Sequence, residues 1–187
     1  MLSITVVVTL AGGIGISTGV FSLISAVALR SHVSSDPASF VRIFTSSSAD
    51  HTRRGVPADA SPDEYLAFKA TARSLRALAA YHRAEASIGG DDGTRRRVLL
   101  ASCDVFPIFG PEPAAPGRLL VPQDCESNTP VVVLSDFLWR DQFGADPGLV
   151  GTSVRINGRP ATVVGVAQPR LAAQVDGALA WLPYARL

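Results

Sequence analysis

The residues most able to bind a metal or act as nucleophiles are the two cysteines, Cys103 and Cys125, and the three histidines, His32, His51 and His82. A zinc site needs such ligands in closely spaced pairs, and no such pair occurs here. The cysteines leave two readings open. Outside the cytoplasm they can pair, closing a loop worth roughly 3 kcal/mol in the chain-entropy model. Otherwise they are separate thiols, the slightly favoured reading, because sequence does not bring two Cα atoms within about 7 Å. Asp63 and Glu64 are adjacent carboxylates that could serve acid–base chemistry, but a place in the first turn of a helix accounts for them. Arg95-Arg96-Arg97 would suit an anionic partner. Strand alternation instead sends at least one arginine to each face, and a hairpin rim is solvated. Trp139 and Trp181 read as packing residues rather than a sugar platform. No Gly-x-Ser-x-Gly and no phosphate-binding loop occurs. The expectation is a protein that is not an enzyme, with no cofactor and no catalytic or metal site. A net charge of +1 argues against a nucleic-acid partner.

The elements that would position these residues follow in order. Phe40 to Thr45 alternates and predicts a strand. Ser46 to Asp59 predicts a polar loop. Ser61-Pro62-Asp63-Glu64 is a capping box with proline at the first helical position. Tyr65, Phe68, Ala72, Leu75 and Ala79 then mark an apolar face, predicting a helix that covers a sheet. Arg83 to Ile88 and Thr94 to Ala101 predict paired strands about a glycine-rich turn. Asp104 to Gly110 predicts a short helical turn, Pro111 to Arg118 a connector and Val121 to Asn128 a loop. Val131 to Leu134 predicts a buried strand. Ser135 can cap a helix over Asp136 to Phe143 that stops at Gly144. Thr152 to Ile156 and Arg159 to Val166 predict a hairpin, Asn157-Gly158 supplying a type I′ turn. Ala178 to Leu182 is a last short strand. This order predicts an α+β fold of mostly antiparallel sheets covered by helices, in two lobes.

All of this follows a stem without a single charged side chain, Met1 to Leu29. As a helix, Ile4 to Leu29 would rise about 39 Å, more than a hydrocarbon core of about 30 Å. The expected domains are a transmembrane helix over 1–29 and an extracytoplasmic domain over 30–187. Ala11, Gly15, Gly19, Ser22 and Ala26 share one side of that helix and include a GxxxG, the pattern by which membrane helices approach closely. A rival reading is a secreted or tethered binding module released by cleavage, because Ala26-Val27-Ala28 has the small-x-small form of a signal-peptidase site. Against it, no basic residue precedes the apolar run. Arg30, the one charge close to the stem, taken alone argues for the opposite orientation.

The chain resembles the MacB-like periplasmic core domain of ABC-transporter permeases in the FtsX-like group. Residues Leu10 to Ser22 look like that family's first transmembrane helix, and Ala26-Val27-Ala28-Leu29-Arg30 like its exit. Pro62 to Leu66 and Leu78 to Tyr81 are similar to its first helix. Val133-Leu134-Ser135, Leu138-Trp139-Arg140 and Phe143 to Pro147 are its most recognisable run, continued by Val150-Gly151, Ile156 to Pro160 and Val163 to Val166. The resemblance implies a single-pass chain in the bacterial inner membrane with residues 30–187 outside. It implies a domain that couples ATP-driven helix movement to export or handover of substrate. Membrane lipid, an ABC ATPase subunit, other permease helices and a periplasmic protein are the implied partners. The family's cytoplasmic lead-in and its later helices are not found in this sequence, which predicts a truncated permease.

Overall fold

The computed structural model describes residues 2–28, 39–43, 61–90, 94–109, 117–127, 129–174 and 177–184. The chain divides into two compact units, Met1–Pro37 and Ala38–Leu187. The first contains one helix, α1 (Leu2–Ala28), of 27 residues.

The second unit is built on one six-stranded sheet. Its strands are β1 (Tyr81–Ala86), β2 (Arg96–Ala101), β3 (Val131–Ser135), β4 (Ser153–Ile156), β5 (Arg159–Ala167) and β6 (Ala180–Pro183). Their spatial order is β1-β2-β6-β3-β5-β4. The pairs β1–β2, β6–β3 and β5–β4 are antiparallel, whereas β2–β6 and β3–β5 are parallel. The sheet is therefore mixed, and the expected two lobes are a single one. The reason is β6. It is buried along its whole length and bonds to β2 on one side and β3 on the other, joining what would otherwise be two separate hairpin units.

The sheet also closes on itself at one corner. Beyond β1, Ile88 bridges Ile156 at the end of β4, the opposite edge strand. Gly89 N–H donates to the Arg155 carbonyl at 2.8 Å, and Asn157 N–H donates to the Ser87 carbonyl at 3.0 Å. Ser87 N–H donates to the Asn157 side-chain oxygen, also at 3.0 Å. Closure satisfies backbone groups that an open edge would leave exposed. Ile88 and Ile156 belong to the same core as Val132, Leu134, Val163 and Leu182, so this face is the enclosed one. The helix α5 (Asp136–Phe143) caps it through Leu138 and Phe143.

The other face carries a second core, around Leu99, Val131, Val133 and Trp181. Phe106 of α3 (Val105–Phe109) meets the Trp181 ring edge-on at 6.2 Å between centroids. Leu171 of α6 (Pro169–Gln174) is fully buried there. A bulge in β5 lets one strand serve both cores. Val132 is opposite Val163 but Val133 is opposite Gly165, so Val164 is the extra residue. Ala161 and Val163 consequently face the enclosed core while Ala167, also odd-numbered, faces the second.

Local signals hold where they can be tested. Ser61 and Glu64 form the capping box of α2 (Pro62–Thr71). Ser135 accepts from Leu138 N–H at the start of α5, and Gly144 ends it in the left-handed conformation with φ 61°. Asn157 and Gly158 have φ of 49° and 77°, as the type I′ hairpin between β4 and β5 requires. Other expectations are corrected. Phe40 to Ile43 forms no strand, since among the described residues it enters no ladder. Val121 to Asn128 is not all loop but contains α4 (Pro122–Glu126). The helix α6 arises where none was expected. The α2 helix ends at Thr71 instead of continuing to Ala79, because Ala80 exchanges hydrogen bonds with Ser102 and the chain must be extended to enter β1. Nor does α2 cover the sheet: Leu66 and Phe68 are exposed, and no α2 residue belongs to either core. The expected loop at Ser46 to Asp59 lies outside the described residues.

Candidate functional site

In α1, Ala11, Gly15, Gly19 and Ser22 lie along one helical stretch and all are exposed. A Cβ added at Gly15 or Gly19 would meet nothing within 4 Å. The large apolar side chains of Val7, Leu10, Ile14, Ile16 and Phe21 are each more than half exposed too. Ala26 is in the helical backbone, and its side chain is outside the described set. At about 1.5 Å per residue the helix is roughly 40 Å long. Among the described residues, no helix is long and apolar enough to cross a membrane. What the helix offers chemically is apolar surface with a smooth stripe, suited to lipid or to another helix.

Polar constellations of the second unit gather around the segment joining β2 to β3. Cys103, two residues after the end of β2, is bonded to Cys125 in α4, with Cα atoms 6.1 Å apart. The favoured reading of two separate thiols is corrected: Cys103 lies in the core beside Trp181, Cys125 packs against the same core, and the fold brings the two together. Within the loop so closed, the Arg118 guanidinium grips the Asp124 carboxylate with both terminal nitrogens. Val121 N–H also donates to Asp124, at 2.8 Å. The Arg118 hydrogen bond is the main reason the Asp124 carboxyl is held below its ordinary pKa, opposed by burial. Arg118 N–H donates to the carbonyl of the bulged Val164 at 2.8 Å, which docks the loop on β5.

The other constellation centres on Asp104, next to Cys103. One carboxylate oxygen, Oδ2, accepts from Tyr65 Oη at 3.1 Å and from Lys69 Nζ. That hydrogen bond raises the Lys69 pKa above its ordinary value. Lys69, Ala72, Leu75 to Leu78 and Asp104 line a cleft of about 240 Å³. Sequence reasoning missed this cluster. The available signal was Tyr65 and Lys69, four apart and so on one helical face.

The residues singled out by type fall into supporting roles. Glu64 belongs to the capping box, and Asp63 is exposed beside it. Arg95 pairs with Glu85, and Arg96 lies 4.0 Å from Asp141. Trp139 donates to the Asp146 carbonyl at 2.9 Å, whereas the Trp181 indole is fully buried. His32 and His51 lie outside the described residues. Among the described residues, no group of three or more histidine, cysteine or carboxylate side chains is placed to hold a metal.

Comparison with known proteins gives this arrangement a relationship. No curated protein is significantly similar to the chain. Among solved structures, the extracellular domain of the noncanonic ABC-type transporter YknZ from Gram-positive bacteria is similar, with a TM-score of 0.56 at 15% identity, covering 68% of this chain. The chain spans 64% of the length of that YknZ domain. The periplasmic region of MacB from Actinobacillus actinomycetemcomitans is 22% identical with a TM-score of 0.49, covering 65% of this chain and 55% of that one. The likeness to YknZ shows a shared fold. The family described as "MacB-like periplasmic core domain" matches over residues 3–187, through α1 and the whole sheet. The chain belongs to the MacB-like periplasmic core domain family.

Proposed function

We propose that this chain is a membrane-anchored, extracytoplasmic domain that couples ATP-driven movement of an ABC-transporter permease to export or to handover of substrate outside the membrane. The observation that carries the reading is the continuous family match over residues 3–187, which takes in α1 as well as the sheet. Support comes from α1, 27 residues without acid or base and with exposed apolar side chains, which suits a single pass through a bacterial inner membrane. The Cys103–Cys125 bond suits an oxidising compartment for residues beyond α1. On this reading ATP is hydrolysed by a separate ABC subunit. A substrate pathway needs further permease helices, against which the Gly15–Gly19 stripe would pack. A periplasmic protein would receive what is handed over.

The test is the location of the chain. It is expressed with a C-terminal tag, cells are fractionated, and protease is added from outside. An intact Met1 end in the membrane fraction, with the tag cut from outside, is the expected result. A shortened chain free in the outer compartment would refute anchoring. It would favour the secreted binding module suggested by Ala26-Val27-Ala28.

A further inference from the structure

Among the described residues, no side chain of the α2 helix belongs to either core of the second unit. Its caps are its own: Ser61 and Glu64 close the front, and Ala72 N–H donates to the Phe68 carbonyl at the back. Among its described side chains only Tyr65 is half-buried, and Leu66 and Phe68 are 59% and 41% exposed. After Ala72 the chain is irregular, with bends at Arg73, Ser74 and Arg76, and it rejoins the fold at Ala79, which packs against the second core, and at Ala80, which bonds to Ser102. Among the described residues, the polar ties of α2 to the domain all run through Tyr65 and Lys69. Both donate to Asp104 Oδ2, and Tyr65 also reaches the Leu78 carbonyl at 3.5 Å. The cleft of about 240 Å³ lies between Lys69 of α2, the irregular segment and Asp104, where a fixed helix would be packed.

We propose that α2 is a latched arm: the Asp104 carboxylate is the latch, and the arm opens on the irregular Ala72–Leu78 segment while the sheet stays closed. The asymmetry of support makes this possible. The Lys69–Asp104 pair is 49% and 35% exposed, so it is weak and screened by salt. Asp104 itself is firmly placed, because the residue before it is the disulfide-bonded Cys103 and the one after it is the buried Val105 of α3. A helix of 10 residues, once released, does not persist in water, so opening and loss of helix occur together. The inference stands on the second unit alone and does not depend on the transporter reading.

Hydrogen exchange followed by mass spectrometry on the full chain in detergent tests it. In Asp104→Ala, exchange over residues 62–71 should rise by about fivefold or more, while β2, β3 and β6 keep wild-type protection. The wild type should show a smaller rise over the same residues when salt is increased to about 1 M. The Tyr65→Phe, Lys69→Met double variant removes the same latch from the helix side and leaves both cores untouched. It should reproduce the Asp104→Ala pattern, and it serves if that variant fails to fold. Unchanged exchange in α2 for the double variant overturns the proposal. So does a rise shared equally by α2 and the sheet, which would make these contacts part of the global fold.

Discussion

Gly165→Ala should destabilise the second unit markedly, although it adds only one methyl group. A Cβ at Gly165 would stand within van der Waals radii of the Arg118 backbone, 2.6 Å from its nitrogen and 2.9 Å from its carbonyl carbon. The obstacle is main chain, so no rotamer change relieves it. Arg118 cannot retreat cheaply: its N–H is bonded to Val164, its guanidinium holds Asp124, and Leu120 just beyond is buried in the core. Moving it forfeits one hydrogen bond, about 1 kcal/mol, and overpacking adds about 1–3 kcal/mol. The lower chain entropy of alanine returns about 0.5–1 kcal/mol. The net cost is about 1–3.5 kcal/mol. With a urea m-value of about 2 kcal/mol/M, the midpoint should fall by about 1 M. The assay is urea unfolding of the chain in mild detergent, read by the fluorescence of Trp139 and Trp181. Gly90→Ala is the control: nothing lies within 4 Å of its added Cβ, and its midpoint should not fall but hold or rise by up to about 0.5 M. A Gly165→Ala midpoint within about 0.3 M of wild type would refute the close approach of the 117–118 segment to β5.

Breaking the disulfide with Cys103→Ala and Cys125→Ala should cost about 3 kcal/mol for a separation of 22 residues, seen as a lower thermal midpoint that added reductant does not lower further. Arg118→Ala strands a carboxylate that is only 7% exposed and should cost about 1–2 kcal/mol at neutral pH, discounted because Arg118 itself is half exposed. Asp124 has its pKa lowered in the folded state, so its contribution is complete above about pH 4 and is lost as pH falls through the folded value. A pH series of unfolding midpoints should therefore show a smaller acid-dependent fall in Arg118→Ala than in wild type. Trp181→Ala empties the middle of the second core and should cost about 3–5 kcal/mol, measured by the same urea assay with Trp139 as reporter. If α1 packs against other helices in a bilayer, Gly15→Ile and Gly19→Ile should each weaken association in a membrane helix-pairing reporter, and unchanged pairing would exclude the stripe as the contact.

Features set by neighbours in sequence were legible before any coordinates. Asn157-Gly158 demands its turn because few residues accept positive φ twice in succession. Ser135 and Gly144 delimit α5 because orphaned helix-end groups need such partners. The sheet was not legible in the same way. Nothing local in Ala180 to Pro183 says that it lies between β2 and β3, and nothing in Ile88 says that it meets Ile156. The bulge at Val164 is also hidden, because Val163-Val164-Gly165-Val166 alternates no differently whether or not a residue is skipped. The apolar marks on α2 misled for the opposite reason. Tyr65 and Phe68 have helical spacing, but the chain leaves the helix at Ala72 before the stripe can find a surface. Likewise, the stripe in α1 was readable as a pattern of small residues, while the Asp104 cluster needed a contact across 39 positions.

Translation runs from the amino end, so β6 is made after the other five strands of the sheet although it occupies the middle of it. Until Ala180 to Pro183 emerges, β2 and β3 each present a bare, strongly apolar edge where their shared neighbour belongs. Unpaired apolar edges of this kind recruit wrong partners, and long-range pairings form slowly. The sheet thus passes through a vulnerable interval at every synthesis, one that closes only with β6. Any factor that shields nascent chains would matter most for this protein in that interval.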